Sequence, residues 1–406
     1  MKGVPVVKLG IIADDLTGAM DTGVQFAKGG LETVVMLDDG NLPPAEMVVV
    51  STDSRDLPAE EAYRRAREAA RRLTGRTLYK KIDSTLRGNL GPELDGLMDG
   101  LGLERALVAP AFPANGRTTV DGYHRVHGVL LSASPFANDP LWPARDSHLP
   151  SLLAAQSRRA VGYLPLPIIE SGVEAVMRAL MAEEAPLVAA DAATQTHLRT
   201  LALALVELGG WLPCGSAGLA EEWPRAMGLE RPTSWLRWPA DPRPVLVAAG
   251  SRHGATVEQL QRASAGGSLD LVHLPVGDGE NVAEAVALAV GLLEQGRNAA
   301  LTTTFSAYRE GQGPAAAARL AEAVEGTLAR FQVAGLFMTG GDVARTVCRA
   351  LGATALRALG EVQPGVAAGL LTGGPHEGLR VVTKAGGFGD ERAIIDGIDC
   401  LRGRLS

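Results

Sequence analysis

A chain of 406 residues, 46% hydrophobic and 21% charged, is long enough for two or three domains and too apolar to be disordered. Its formal net charge of −7 argues against nucleic acid or an anionic membrane as the main partner and leaves small molecules. Three widely separated cysteines, Cys214, Cys348 and Cys400, have no CxxC or metal-type spacing and fit core positions in a reducing cytoplasm.

The N-terminal stretch "MKGVPVVKLGIIADDLTG" meets two aspartates before a signal-peptide apolar region is complete, and no apolar segment reaches membrane-spanning length. The expectation is a cytoplasmic protein, with homo-oligomerisation left open. In chain order, "VVKLGIIA", "LETVVML", "MVVVST", "TLYKKID", "RALVAPA" and "PLVAADA" read as strands, while "PAEEAYRRAREAARRL" and "TQTHLRTLALALVEL" read as helices. Residues 231–244, "RPTSWLRWPADPRP", carry four prolines and two tryptophans, which neither a helix nor a central strand accommodates. Beyond them the strands "VLVAAGS", "NAALTTT" and "GLFMTGG" alternate with the helices "NVAEAVALAVGLLEQG", an Ala-rich run from Pro314, and "DVARTVCRALG". The pattern predicts an α/β protein of two domains, 1–230 and 245–406 around a 231–244 linker, each with a mostly parallel sheet covered by helices.

Ligands of open parallel sheets bind beyond the carboxyl ends of strands. In the N-terminal half those ends carry Asp14 and Asp15, then Asp53 and Arg55, then Lys80, Lys81, Asp83 and Ser84, with Arg87 following. Helix capping accounts for one of the adjacent aspartates but not both. A cluster of carboxylates with Lys, Arg and Ser suits a polyhydroxylated, anionic small molecule, whose carboxylate the cations grip and whose hydroxyls the aspartates accept.

The C-terminal half has glycine turns instead. "MTGGDVARTV", "AAGSRHGATVEQL" and "VVTKAGGFGD" each place small residues at a strand end, the last beside a lysine. A tight turn explains any one of them; three in one domain point to backbone N–H groups around a nucleotide phosphate. No GxxxxGK[ST] loop occurs, and "GQGPAA" at Gly311 has the letters of a dinucleotide fingerprint without a strand directly before it. "HRVHG", with His124 and His127, lacks the spacing of a zinc motif. A non-catalytic sugar-acid binder would leave the glycine turns unexplained. An NAD-dependent dehydrogenase would need a fingerprint paired with an acidic residue about 20 positions on.

Across nearly its whole length the chain resembles the four-carbon acid sugar kinase family. The segments that carry the likeness include "IADDLTGAMDTGVQFAKGG", "KKIDSTLRGNLGPEL", "PAFPANGRTTVDGYHRVHGVLL", "GSRHGATVEQ", "TGGDVARTV", "EVQPGVAAG" and "VVTKAGGFGD", all in family order. The resemblance implies a sugar-binding N-terminal domain, a nucleotide-binding C-terminal domain, an active site in the cleft between them, and ATP with Mg²⁺ phosphorylating a tetronate or oxo-tetronate. By motif, Asp14, Asp15, Arg55, Lys81, Asp83, Ser84 and Arg87 fall on the substrate side. Ser251, Gly340, Gly341, Asp342, Val343 and Gly386 fall on the ATP side. His253 departs from the family pattern, in which serine is more frequent. The expected base is Asp14 or Asp15, with Asp83 next; Mg²⁺ is expected with the ATP, with Asp342 as the candidate for an indirect ligand. "DTGVQFA" and "GYHRVHGVLL" are closer to threonate-type members than to 3-oxo-tetronate ones.

Overall fold

Most of the apolar runs fold as short strands buried on both faces, as a sheet covered by helices requires. The computed structural model describes residues 8–139, 142–230, 238–274, 282–306 and 311–405. By its internal contacts the chain forms two units, Met1–Thr33 with Pro43–Pro232, and Val34–Leu42 with Thr233–Ser406. Of the 231–244 stretch read as a linker, residues 231–237 lie outside the described part.

Up to the 230s the strands are β1 (Leu9–Ala13), β2 (Thr33–Met36), β3 (Met47–Ser51), β4 (Thr77–Lys81), β5 (Arg105–Ala109), β6 (Arg117–Val120), β7 (Tyr123–Val126), β8 (Val129–Leu130), β9 (Val161–Leu164), β10 (Leu187–Ala190) and β11 (Trp211–Gly215). The main sheet of the first unit runs β3-β1-β4-β11-β5-β10-β9 and is parallel throughout. Its helices form for local reasons. In Ala59–Arg72, for example, Ala62, Ala66, Ala69 and Ala70 make one buried stripe while the arginines stay at the periphery.

Two features were not read from the sequence. Strand β11 lies in the middle of the sheet although Pro213 lacks an N–H; it pairs with β4 only at Cys214 and Gly215, leaving the proline beside β5. Strands β6, β7 and β8 form a small antiparallel sheet of their own. Its two tight turns, Asp121-Gly122 and His127-Gly128, have both central residues at positive φ, which matches the twist of paired strands.

The second unit contains β12 (Val245–Ala249), β13 (Asp270–His273), β14 (Ala299–Thr302), β15 (Gly335–Thr339), β16 (Ala355–Gln363), β17 (Val366–Thr372) and β18 (Arg380–Lys384). Their order is β13-β14-β12-β15-β18-β17-β16, with β2 beside β16. The first five are parallel, whereas β16, β17 and β18 are antiparallel neighbours; between β16 and β17 the short Pro364-Gly365 connection can only reverse the chain. Cys214, Cys348 and Cys400 are buried free thiols. No helix among the described residues is long and apolar enough to cross a membrane.

Candidate active site

In the first unit β3, β1 and β4 are adjacent and parallel, which brings together the polar residues that follow them. Asp15 is the N-cap of the helix Leu16–Lys28, its Oδ1 accepting from the Gly18 N–H at 2.7 Å. Asp14 does not cap. Its Oδ2 accepts from Arg55 Nε at 2.6 Å, and its Oδ1 is buried with no hydrogen-bond partner among the described residues. Arg55 reaches two further carboxylates, Asp15 Oδ2 at 2.8 Å and Asp83 Oδ1 at 3.9 Å. Asp83 accepts from Thr85 Oγ1, from Arg87 Nε at 2.8 Å and from Arg87 Nη2 at 3.1 Å. Beside it, Ser84 is buried and its Oγ has no partner among the described residues. Asp53, by contrast, turns to Ser51 Oγ at 2.8 Å.

Strand alternation separates the two lysines that end β4. Lys80 turns to Glu93, with Nζ 2.6 Å from Oε2 and Ser54 Oγ donating to Oε1 at 2.7 Å, all of it buried. Lys81 turns toward the first turn of the helix after Asp15, where a Cβ on Gly18 would come within 2.7 Å of Nζ. Its ammonium hydrogen-bonds to no acceptor among the described residues. Only one of the pair is therefore offered to a ligand.

Charge balance distinguishes the three aspartates. Burial raises the Asp14 carboxyl, but Arg55, Lys80 and Lys81 outweigh it and hold the group below its ordinary value. Asp15 is pushed up, first by burial and then by the Asp14 charge, against the pull of Arg55. Asp83 is also buried, yet Arg87 and Arg55 hold it well below the usual carboxylate range. With its oxygens engaged by Thr85 and Arg87, it is the least suited of the three to accept a proton.

His124 fixes this cluster from behind. Its Nε2 is 2.8 Å from the Ser84 carbonyl and its Nδ1 is 3.0 Å from Thr119 Oγ1, a pair of contacts that suits the neutral ring. Burial lowers its pKa from 6.5 to about 4, against the opposing effect of the Ser84 carbonyl. The unfolded chain therefore takes up a proton that the folded protein refuses, and stability is lost as the pH falls from 6.5 toward about 4. The expected loss through this one group is about 3 kcal/mol across that window. It is checked by denaturant unfolding of the first unit at several pH values, in the parent and in His124→Asn. An equal slope in both proteins would remove His124 from the acid transition.

In the second unit, three segments distant in sequence meet. Gly340, with φ at 104°, precedes the helix Gly341–Ala350 without a side-chain cap, leaving the first N–H groups of that helix without a capping acceptor. A Cβ on Gly340 would lie 3.5 Å from the Ser251 N, and one on Gly386 only 2.2 Å from Ser251 Oγ. These approaches put the turns at 250–253, 340–341 and 385–389 against one another. His253 caps the helix Gly254–Ala265 through its Nδ1, which accepts from the Ala255 N–H at 3.2 Å. Val343 is buried against Gly250, and Asp342 is exposed, with Oδ1 3.1 Å from Arg345 Nη2.

One unit therefore holds a cation–carboxylate cluster at strand ends and the other a glycine-lined set of backbone donors. Residues 9–223 match the model of a sugar-binding N-terminal domain, and residues 246–394 match that of a nucleotide-binding C-terminal domain. The chain is 34% identical to D-threonate kinase of Salmonella typhimurium, over 97% of this chain and 98% of that protein. The chain belongs to the four-carbon acid sugar kinase family.

It is likewise 34% identical to D-erythronate kinase of Heliobacterium modesticaldum, over 98% and 97% of the two chains, and 36% identical to 3-oxo-tetronate kinase of Methylobacterium radiotolerans, over 94% and 96%. Among solved structures, one from Salmonella typhimurium LT2 superposes with a TM-score of 0.80 at 27% identity, covering 96% of this chain and 98% of that one. One from Haemophilus influenzae gives 0.73 at 26%, covering 98% and 100%. In this four-carbon acid sugar kinase family member, sequence reading overlooked the partners that hold the motif residues. Glu93, which neutralises Lys80, stands on the buried stripe of the helix Leu90–Leu101 with Leu90, Leu94 and Leu97, and a carboxylate in an apolar stripe was the available signal. Thr85 and His124 offered none, since their roles depend on which backbone comes near.

Proposed function

We propose that the protein transfers the γ-phosphoryl group of ATP to the 4-hydroxyl of threonate or erythronate. The observation that carries this reading is Asp14, a buried carboxylate with one oxygen held by Arg55 and the other without a partner among the described residues. Such an oxygen can receive the hydroxyl proton as the new P–O bond forms. The bond from the γ-phosphorus to the bridging oxygen breaks in the same event, and ADP leaves. Lys81 takes the substrate carboxylate, and Ser84 Oγ takes one of its hydroxyls. Arg55, already shared among Asp14, Asp15 and Asp83, orients the base instead of binding substrate. The N–H groups at Gly340–Gly341 and Gly386, with Ser251, receive the phosphates. Asp342, in the first turn of the Gly341–Ala350 helix, would be the indirect acidic partner of Mg²⁺, which when bound would supply positive charge against that of the phosphates.

The test is ADP release over D- and L-threonate, D- and L-erythronate and the 3-oxo acids, with the matching primary amides as uncharged controls that keep the 4-hydroxyl. Turnover is expected with a threonate or an erythronate and at least about tenfold less with its amide, the loss of one charge-assisted contact. An amide used as well as its acid would overturn the Lys81 clamp. No ADP release above the water background with any four-carbon acid would overturn the substrate.

A further inference from the structure

Lys384, the last residue of β18, is buried and has no carboxylate partner among the described residues. Its Nζ is instead surrounded by four neutral oxygens, those of Ala385 at 3.0 Å, Gly386 at 3.1 Å, Phe388 at 3.2 Å and Thr256 Oγ1 at 3.1 Å. A shell of carbonyl and hydroxyl oxygens without a counter-charge is how proteins replace the hydration of a monovalent metal cation. We propose that the Lys384 ammonium is a built-in monovalent cation, which draws the carbonyls of the 385–388 turn inward and leaves the turn's N–H groups for the nucleotide phosphate. This rests on the ATP reading of the second unit given above.

The surrounding bonds support this role. Thr256 Oγ1 also donates to the Gly386 carbonyl at 2.9 Å. Gln259 Nε2 reaches the carbonyls of Phe388 and Gly389 at 3.2 Å and of Asp390 at 2.7 Å. The carbonyls of residues 385, 386, 388, 389 and 390 are thus all drawn to two interior side chains. The N–H groups of Gly386 and Gly387 donate to no acceptor among the described residues, and the turn lies against Ser251 and His253. Successive backbone N–H groups of a turn with no acceptor of their own are the donors that an anion-binding nest uses. Burial pushes the ammonium down to about 7. Four acceptor oxygens oppose that, because a neutral amine would have to turn its lone pair toward one of them.

The experiment compares the parent with Lys384→Ala and Lys384→Met in buffers containing only Na⁺, only K⁺ or methylammonium. ATP affinity is read by calorimetry, turnover by ADP release, and melting with and without sugar acid reports folding. The parent should be indifferent to the cation. In Na⁺, both variants should lose roughly tenfold or more in ATP affinity, the scale of a lost charge-assisted hydrogen-bond set, with sugar-acid binding unchanged. In Lys384→Ala, K⁺ or methylammonium should restore ATP binding and raise the melting temperature, since a cation that binds only the folded state stabilises it. The methionine side chain fills the site, so Lys384→Met should not respond. Loss of ATP affinity that no cation restores, by binding or by melting, overturns the cation role, as does parent-like ATP affinity in Lys384→Ala. Absence of ATP binding in the parent itself would instead overturn the kinase reading.

Discussion

Replacing Asp14 by asparagine is expected to lower kcat by about 10²- to 10⁴-fold, the range of general base catalysis, while ATP affinity stays within about twofold. The change keeps the shape of the side chain and an oxygen for Arg55, and removes the negative charge together with the capacity to accept a proton. Asp15→Asn is the informative contrast, because asparagine is as good an N-cap as aspartate and would preserve the bond from the Gly18 N–H. It should cost less than about tenfold, since a preserved cap leaves the geometry of the site in place. Steady-state ADP release, with ATP affinity measured separately, decides between them. A larger loss in Asp15→Asn would exchange the two roles, and near-parent turnover in both would make the pair structural.

The second large effect concerns the phosphate turns. A Cβ on Gly386 would come within 2.2 Å of Ser251 Oγ, closer than Cβ atoms come to any neighbour, and within 3.1 Å of His253 Cβ, a tight contact that itself needs a small shift. Gly386→Val must therefore push the turn away from Ser251, which disturbs the alignment of its N–H groups, or displace the Ser251 hydroxyl from the phosphate side, and either change removes a proposed phosphate contact. The expected outcome is a loss of ATP affinity of about 100-fold or more, equivalent to roughly 3 kcal/mol. Sugar-acid binding should be retained, because the substrate-side cluster is built from Asp14 to Arg87 in the first unit. Calorimetric titration with each ligand separately is the check. An unchanged ATP affinity would rule out this turn as a phosphate contact.

Much of this site was legible because polar residues at the ends of apolar runs are conspicuous. Asp14, Arg55 and Asp83 announced themselves by position, as did the glycines at 340 and 386. What the letters could not give was the division of labour. Asp14 and Asp15 are neighbours in sequence and both reach Arg55, yet only Asp15 caps the helix, because it alone stands at the N-cap position, where its Oδ1 meets the Gly18 N–H. Strand alternation sends Lys80 to Glu93 and Lys81 to the helix start, and nothing local says which face carries the buried glutamate. Lys384 stood in plain view beside a glycine turn, but its four oxygens belong to a turn folded back on it and to Thr256, far away in sequence.

The sequence by itself determined the local elements: the period of apolar residues sets strand or helix, and caps and glycine turns set where each ends. It also determined the kinds of chemistry available at strand ends. Only the tertiary structure decided the strand order, which inserts β11 with its Pro213 between β4 and β5 and assigns Val34–Leu42 to the second unit. It alone decided which carboxylate keeps a buried oxygen without a hydrogen-bond partner among the described residues. The physical reason is range. Backbone propensity and periodicity act over a few residues and are written in consecutive letters. Burial, ion pairing and the desolvation that shifts a pKa are sums over neighbours brought together from distant parts of the chain.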